Sequence, residues 1–586
     1  MSISSFSVAV TGAGGSGAVT TGLILLETMA QQGFYGFMIR SSGPQIRGGE
    51  SAVMMRFDTN EMLSTNNQFD YLLALDWFNI ERFIDEIPLG ANSLIIYDLS
   101  AGEVPEILSQ SKAQFVGFDL KKLAKSIEGG RSNMVGLGLL VNTFSLSNKS
   151  INKAVNKILR HKGEKIVTSS IACIKTGMEE QSKNNTWSVR NMTPIFEKDL
   201  GDALKTESTR WSITGNEACG LGALKAGVRF VAAYPITPAT EILEWLAPRL
   251  ENLGGGLLQA EDELASINMI IGASFGGVPS LTATSGPGLS LMMEGIGLAI
   301  ASEIPIVVVN VTRGGPSTGI PTKSEQSDLN ISLYGCHGDA PHLVLAPLNI
   351  SDAVFTTYWA SCLAEQLQTV AIVLSDQFIG QSRAIINKPS FHEVNCQRTT
   401  LSKETFSNEQ EDYQRYEILD NGVSPMSIPG TKGCMYTADG LEHNSKGTPS
   451  SMSVDHIAQL EKRQNKLIQF DYGAQWAEIS GHGDVVLITW GSSSAMVNEA
   501  AQQLQKQAYA IKTVAIRLLM PLPIELLSEA LKDAKKVIVI EQNQGRQLFH
   551  YLHAQNSLPL NAHAFARSGP LPLRPHEIVK FVQEVL

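Results

Sequence analysis

Residues 305–323 read PIVVVNVTRGGPSTGIPTK, a nearly continuous β-branched run followed by an arginine and a loop of glycines, prolines and hydroxyls. An apolar run without polar alternation predicts a strand covered on both faces, as in a parallel sheet. The pattern recurs outward on both sides. Strands are predicted at Val228–Tyr234, Ser280–Thr284, Pro305–Val311 and Thr369–Ser375 with helical spacers between them, so 209–395 reads as a doubly wound α/β domain.

Such sheets bind ligands beyond the carboxyl ends of their strands, and three loops leave those ends here. In Tyr234-Pro-Ile-Thr237-Pro238 two prolines stiffen the backbone around Thr237, whose hydroxyl would donate to a ligand, the alternative being that Thr237 or Thr240 caps the next helix. Gln259-Ala-Glu261-Asp262-Glu263 places three acids at a helix start, where the helix dipole alone would favour them. The helix that follows carries Ile267, Ile270, Ile271 and Ala273, a set apolar enough to bury Glu263, and a buried carboxyl has a raised pKa and exchanges protons near neutrality. The third loop runs from Thr312 to Lys323. Its Arg313 offers a planar fork on close-approach backbone, suited to a carboxylate. Lys323 has no strand–GxxxxGK[ST]–helix context, so this is not a Walker loop.

The N-terminal stretch, 1–200, opens with a strand at Phe6–Val10 and a glycine loop, then a helix with Val19, Leu23, Leu26 and Met29 on one face. A strand at Gly36–Arg40 completes a βαβ start. Gly12-Ala-Gly14-Gly15-Ser-Gly17 fits GxGxxG, which lets a phosphate approach a helix N-terminus; a ligand-free tight turn is the alternative. A nicotinamide site would want an acid where Arg40 stands, which argues against a dehydrogenase. Arg47, between Gly43-Pro44 and Gly48-Gly49, suits a phosphate or carboxylate, or else pairs with Glu50. Asn184–Ser208 reads as a linker and 396–464 as an extended connection. The last stretch, 465–586, is a second doubly wound unit with strands at Val485–Thr489, Lys512–Arg517 and Val537–Ile540.

Bulk properties narrow the classes. A length of 586 residues exceeds a single core. The net charge of −11, with no Lys/Arg-rich run, excludes a nucleic-acid binder. No eighteen-residue apolar stretch predicts a membrane span, and Met1–Val10 lacks the basic n-region of a signal peptide. The cysteines Cys173, Cys219, Cys336, Cys362, Cys396 and Cys434 contain no CxxC pair, so neither a disulfide framework nor a metal or cluster site is expected, and the thiols read as reduced and cytoplasmic.

At YPITP (234–238), QAEDE (259–263), TATSGPG (282–288) and RGGPSTGIPTKSEQSD (313–328) the chain resembles the alpha subunits of the 2-oxoacid:ferredoxin oxidoreductases, in the form with a gamma domain fused in front. YGCHGD (334–339), GLEH (440–443) and the last domain continue the resemblance. The GxGGxG loop and the RGG at 47–49 carry it into the first domain. The resemblance implies a multi-domain α/β chain. A gamma-type, CoA-linked domain spans 1–200, a pyrimidine-binding thiamine domain 209–395, and a transketolase C-terminal-like domain 465–586. Glu263 would then hydrogen-bond the aminopyrimidine of thiamine diphosphate and favour the tautomer that takes the thiazolium proton. Thr237, Arg313 and Thr322 would contact the 2-oxoacid, and Gly12, Gly14, Gly15, Gly17 and Arg47 would serve CoA.

Thiamine enzymes also carry GDG with paired asparagines some thirty residues on. Gly481-His-Gly-Asp484 lacks that arrangement, and cysteine quartets for clusters are missing. The resemblance therefore implies a beta subunit bringing the diphosphate site, Mg²⁺ and an iron–sulfur cluster, in an αβ or (αβ)2 assembly that reduces ferredoxin. The fused form with RGGPSTG looks most like the 2-oxoglutarate enzymes. His342, where many relatives carry arginine, would grip a distal carboxylate less firmly at neutral pH. Pyruvate or branched-chain specificity, or a non-catalytic regulatory subunit of the same fold, are the alternatives.

Overall fold

Val8, Val10, Ile24, Leu25, Val53 and Met55 are buried in one apolar core that fills the first part of the molecule. They come from strands and a helix, and the helix's buried Thr21 and Thr28 donate to the Gly17 and Ile24 carbonyls. The computed structural model describes residues 5–43, 49–184, 210–390, 394–401 and 413–586, which fall into two units. Arg47 and nearly all of the 184–208 stretch lie outside the described residues.

The first unit is built on an eight-stranded sheet. Its order is Gln114–Phe118, Leu94–Asp98, Tyr71–Ala74, Ser5–Ala13, Glu50–Asp58, Tyr35–Ser42, Arg383–Asn387 and Arg210–Thr214. The strand after the first helix does not neighbour the first strand, which corrects the βαβ start. Tyr35–Ser42 and Glu50–Asp58 pair antiparallel, and Glu50–Asp58 lies between Tyr35–Ser42 and Ser5–Ala13. Only antiparallel partners can be joined by so short a connection, so the second strand of the hairpin takes the place expected for the first. Two strands of this sheet, at 210–214 and 383–387, come from sequence that flanks the second α/β block.

The second unit holds two further sheets, so the chain is α/β throughout, as expected. The seven-stranded sheet has the order Leu518–Met520, Leu343–Leu345, Val370–Asp376, Ile306–Thr312, Ser280–Thr284, Phe230–Ala233 and Gly256–Gln259. Its pairings are parallel except for Leu518–Met520 against Leu343–Leu345. Ile306–Thr312 and Val370–Asp376 are buried at every position, as their unbroken apolar runs require. The five-stranded sheet runs Ala477–Gly481, Ile511–Ile516, Val485–Trp490, Lys536–Glu541 and His563–Ala566. Gly481 and Gly483 form a tight turn, with Asp484 paired to Lys535 at the surface.

Sequence composition reads 396–464 as extended throughout, but a helix occupies Ser453–Ile468. Its amphipathicity is inverted, which is why periodicity misses it. Gln459, Lys462, Arg463 and Lys466 are buried, while Val454, Ile457 and Ile468 are exposed. The burial is possible because Glu303 accepts from Lys462 Nζ at 2.6 Å and from Lys466 Nζ at 2.7 Å. Arg415 joins the cluster by donating to the Glu303 carbonyl at 2.9 Å. Burial opposes the charge on Glu303, but Lys462, Lys466 and Arg415 outweigh it and hold the carboxyl well below the usual carboxylate range.

Removing this anion strands three cations in a dry interior. Glu303→Gln is expected to cost about 3–5 kcal/mol of stability near neutral pH, read from denaturant unfolding. The stabilisation is complete above the ordinary value of 4.5 and is lost as pH falls towards the depressed folded-state value. The gap between variant and wild type should therefore narrow in acid. A gap that is constant with pH would assign the loss to packing alone.

Cys362, on the helix Ile350–Leu367, and Cys396 are joined as a disulfide, which corrects the expectation that all six thiols are free. The two are 34 residues apart and belong to no motif, so only the fold brings them together. Among the described residues, no helix is long and apolar enough to cross a membrane.

Candidate active site

Arg313 ends the strand Ile306–Thr312 and is 8% exposed. Its Nη1 donates to the Thr237 carbonyl at 2.6 Å, which ties the first and third sequence loops together. Among the described residues, its Nε has no hydrogen-bond partner. Burial works against the guanidinium charge and Asp328 supports it, with a net lowering from the usual arginine range. The loop beyond is a closed turn. Ile320 N–H donates to the Gly314 carbonyl at 2.7 Å and Gly314 N–H donates to the Lys323 carbonyl at 3.0 Å. Gly319 (φ 56°) is required at the closure, because a Cβ there would stand 1.7 Å from the Gly314 oxygen. Thr322, half-buried, sits at the closed end of this loop.

Thr237 is not spent as a helix cap. The helix Thr240–Asn252 starts from Ala239 without a side-chain cap, so both threonines of that reading are excluded from the role. The turn is fixed from behind by Asn216, fully buried, whose Nδ2 donates to the Pro238 carbonyl at 2.9 Å.

The three acids at 261–263 divide their work. Asp262 caps the helix Glu263–Phe275 by accepting from Ala265 N–H at 2.7 Å, and Glu261 is exposed. Glu263 alone turns inward, 6% exposed, above buried Ile267 and Ile270. Among the described residues, no donor is bonded to its carboxylate. Gly288 makes room for it: a Cβ there would lie 2.7 Å from Glu263 Oε1 and 2.1 Å from Thr284 Oγ1. A buried carboxyl with no donor among the described residues is left able to share a single proton with a group that enters from outside.

Gly288 belongs to the first turn of the helix Gly286–Ala301. Gly286 and Pro287 of that turn, together with Arg313, Asp328, Asn543 and Gln547, line a cavity of about 670 Å³. Thr322 is not on its wall. Asp328 Oδ2 accepts from Asn310 Nδ2 at 2.9 Å. Behind the loop stands Gln326, fully buried. It donates from Nε2 to the Trp490 carbonyl at 2.8 Å, and its Oε1 accepts from Gln542 N–H at 2.8 Å and Ser493 Oγ at 3.2 Å. The Arg313 loop is thus braced on the five-stranded sheet.

Sequence reasoning missed Asn216, Asn310, Gln326 and Asp328. The last two lie within the stretch 313–328, but their partners are up to 217 residues away. His342 lies elsewhere. It is 1% exposed, and its ring nitrogens stand 2.8 and 2.7 Å from the Ala340 and Ser332 carbonyls. It lines a different cavity with Leu467 and Met520, apart from the one that Arg313 lines.

In the first unit, the glycine loop links the strand Ser5–Ala13 to the helix Ala18–Gln31. Gly12 is packed against Ser16, and Gly14 N–H is spent on the Gly49 carbonyl at 2.5 Å. Gly15 (φ 90°) faces open space, and Gly17 (φ 93°) caps the helix with its carbonyl held by Asn133 Nδ2 at 3.2 Å. Asp76 closes the base by accepting from Ala13 N–H at 2.9 Å. Glu50 accepts from Arg82 at 2.5 Å and Asn79 at 3.0 Å, while its suggested pairing with Arg47 lies outside the described residues. Among the described residues, no group of three His, Cys, Asp or Glu side chains is placed to hold a metal ion.

Comparison with known proteins places these features. Residues 7–180 match the family described as "Pyruvate ferredoxin/flavodoxin oxidoreductase", 221–463 match "Pyruvate flavodoxin/ferredoxin oxidoreductase, thiamine diP-bdg", and 483–561 match "Pyruvate:ferredoxin oxidoreductase core domain II". The chain is 27% identical to the 2-oxoacid:ferredoxin oxidoreductase 2 subunit alpha of Aeropyrum pernix, over 99% of this chain and 97% of that one. It is 33% identical to the 2-oxoglutarate synthase subunit KorA of Methanothermobacter marburgensis, over 63% of this chain and 96% of that one. Among solved structures, the 2-oxoglutarate:ferredoxin oxidoreductase of Magnetococcus marinus, with 2-oxoglutarate, coenzyme A and succinyl-CoA bound, matches 99% of both chains at 32% identity and a TM-score of 0.87.

Proposed function

The chain belongs to the 2-oxoacid:ferredoxin oxidoreductases, as an alpha subunit with a gamma-type domain in front, and from that premise we propose that it binds 2-oxoglutarate and handles the proton for its CoA-linked oxidative decarboxylation. The observation that carries this reading is the buried Arg313 fork, fixed by the Thr237 carbonyl on the wall of a cavity whose neighbouring helix turn covers Glu263. A guanidinium with unoccupied donors is the natural partner of a carboxylate beside a carbonyl.

Thiamine diphosphate, when bound, supplies the nucleophilic carbon and electron sink that side chains lack. Glu263 would hold its aminopyrimidine by accepting a ring N–H, and keep that proton available. Arg313 would orient the 2-oxoacid from the cavity wall; Thr237 and Thr322 do not line that cavity, and their hydroxyls would contact only a substrate that reaches past Arg313. A beta subunit would contribute the diphosphate site with Mg²⁺ and an iron–sulfur cluster, passing electrons singly to ferredoxin. Gly12, Gly14, Gly15, Gly17 and Arg47 would attend CoA, with Gly15 and Gly17 shaping the helix start towards an anion.

The test is to purify the chain with its genomic neighbour and follow CoA-dependent reduction of a viologen dye by 2-oxoglutarate, pyruvate and 2-oxoisovalerate. The expected result is the highest kcat/KM with 2-oxoglutarate, and none from this chain alone. A preference for pyruvate or 2-oxoisovalerate would overturn the substrate and keep the reaction. No turnover of any of the three would overturn the reaction.

A further inference from the structure

The cavity that holds Arg313 also holds a carboxyl that the reaction scheme does not use. Asp328 lies on the same wall, and its carboxyl stands at the first turn of the helix Gly286–Ala301. Only a glycine permits this: a Cβ on Gly286 would lie 2.8 and 2.9 Å from the two Asp328 oxygens. Asn310 Nδ2, from the strand that ends at Thr312, donates to Asp328 Oδ2 at 2.9 Å. Arg313 and Asp328 interact electrostatically without forming an ion pair, so the guanidinium is not consumed by its neighbour.

The charged groups that face Asp328 are Arg313 and Glu325, and its other polar neighbours, Asn310 and Thr312, are neutral. Glu325 is on the cavity wall too, and its Oε1 accepts from Gly569 N–H at 2.9 Å. The wall thus sets two carboxyl groups against one guanidinium. A 2-oxoacid entering beside Arg313 adds another carboxylate in a half-buried space where like charges are poorly screened.

We infer that Asp328 takes up a proton from solvent when the 2-oxoacid binds, so that the cavity accepts the substrate anion without stacking carboxylates, and its new O–H donates to that anion. The inference rests on the reading of this cavity as the 2-oxoacid site. No bond other than O–H is made, and the proton comes from water or buffer. The resting carboxyl is already inclined this way. Burial, reinforced by Glu325, lifts it above the usual aspartate range despite the hydrogen bonds from Asn310 and Thr312 and the pull of Arg313. Substrate binds the protonated form better, so affinity is full below the free-state titration point. It falls as pH rises towards the titration point of the complex.

The experiment uses the two-chain complex. KM for 2-oxoglutarate is measured from roughly pH 6 to 9 in wild type and Asp328→Asn, and protons taken up on binding are counted by calorimetry in buffers of different ionisation heat. Wild type should show KM rising by up to about tenfold per pH unit over part of that range, with close to one proton taken up where the rise is steepest. Asp328→Asn should flatten the profile and abolish the uptake, whereas a residue that merely shapes the loop would move kcat or stability and leave the slope. Parallel profiles, or wild-type binding with no proton uptake, overturn the inference. If no 2-oxoacid is turned over, the functional reading has failed by itself. Absence of proton uptake by wild type on binding oxalate then still overturns the inference, as it does if the variant does not fold.

Discussion

Glu263→Gln in the two-chain complex is expected to lower kcat by about 10²- to 10⁴-fold, the range that a positioned proton-transfer group contributes. The substitution keeps shape and volume, so Gly288 and Thr284 still fit around it, and no hydrogen bond from the described residues is broken because none of them reaches the carboxyl. What is lost is an anion that can accept a ring N–H and share its proton. The stability change should be small. A charge leaves a helix N-terminus, worth about 0.3–1 kcal/mol, and a buried carboxyl no longer needs desolvation, which offsets it. Steady-state dye reduction, paired with a thermal melt of the same preparation, separates the two effects. A kcat near wild type at unchanged melting temperature would remove Glu263 from the chemistry and return it to the role of a buried helix-end acid.

Arg313→Met is expected to act on substrate capture. A buried charge-assisted contact is worth about 2–5 kcal/mol when one partner is deleted, which is on the order of 30- to several-thousand-fold in kcat/KM. The loss should appear mainly as raised KM, since the guanidinium meets the carboxylate in both ground and transition states. Arg313→Lys separates charge from geometry. An ammonium cannot hold the Thr237 carbonyl and present a planar fork to the substrate together, so the lysine variant should recover only part of the loss. Full recovery with lysine would mean that positive charge alone suffices. An unchanged KM in both variants would place the 2-oxoacid elsewhere.

The strand–loop positions were legible because burial on both faces of a parallel sheet writes itself as an apolar run. Ser280–Thr284 was read to the residue, and Ile306–Thr312 and Val370–Asp376 within one residue at either end. Arg313 and Thr237 were readable as loop residues at strand ends; that one grips the other's carbonyl was not, because the bond crosses 76 residues. Asp328 and Gln326 stood within a quoted motif but looked like ordinary polar residues. Their meaning lies in Asn310, Gly286, Trp490 and Gln542, which no local pattern connects to them. The helix Ser453–Ile468 escaped for the opposite reason. It buries charge and exposes aliphatic side chains, so the usual periodicity points its core face outward. The Cys362–Cys396 link and the hairpin that displaces the second strand are likewise products of topology.

The eight-stranded sheet of the first unit borrows two strands, Arg383–Asn387 and Arg210–Thr214, from far along the chain. A gene split before residue 210 would therefore release a fragment whose Tyr35–Ser42 strand ends in bare amide and carbonyl groups, an open template for aggregation. In this arrangement, fusion of the two halves is more than a shared promoter or fixed stoichiometry. It keeps the two covering strands at the high local concentration that a covalent tether provides.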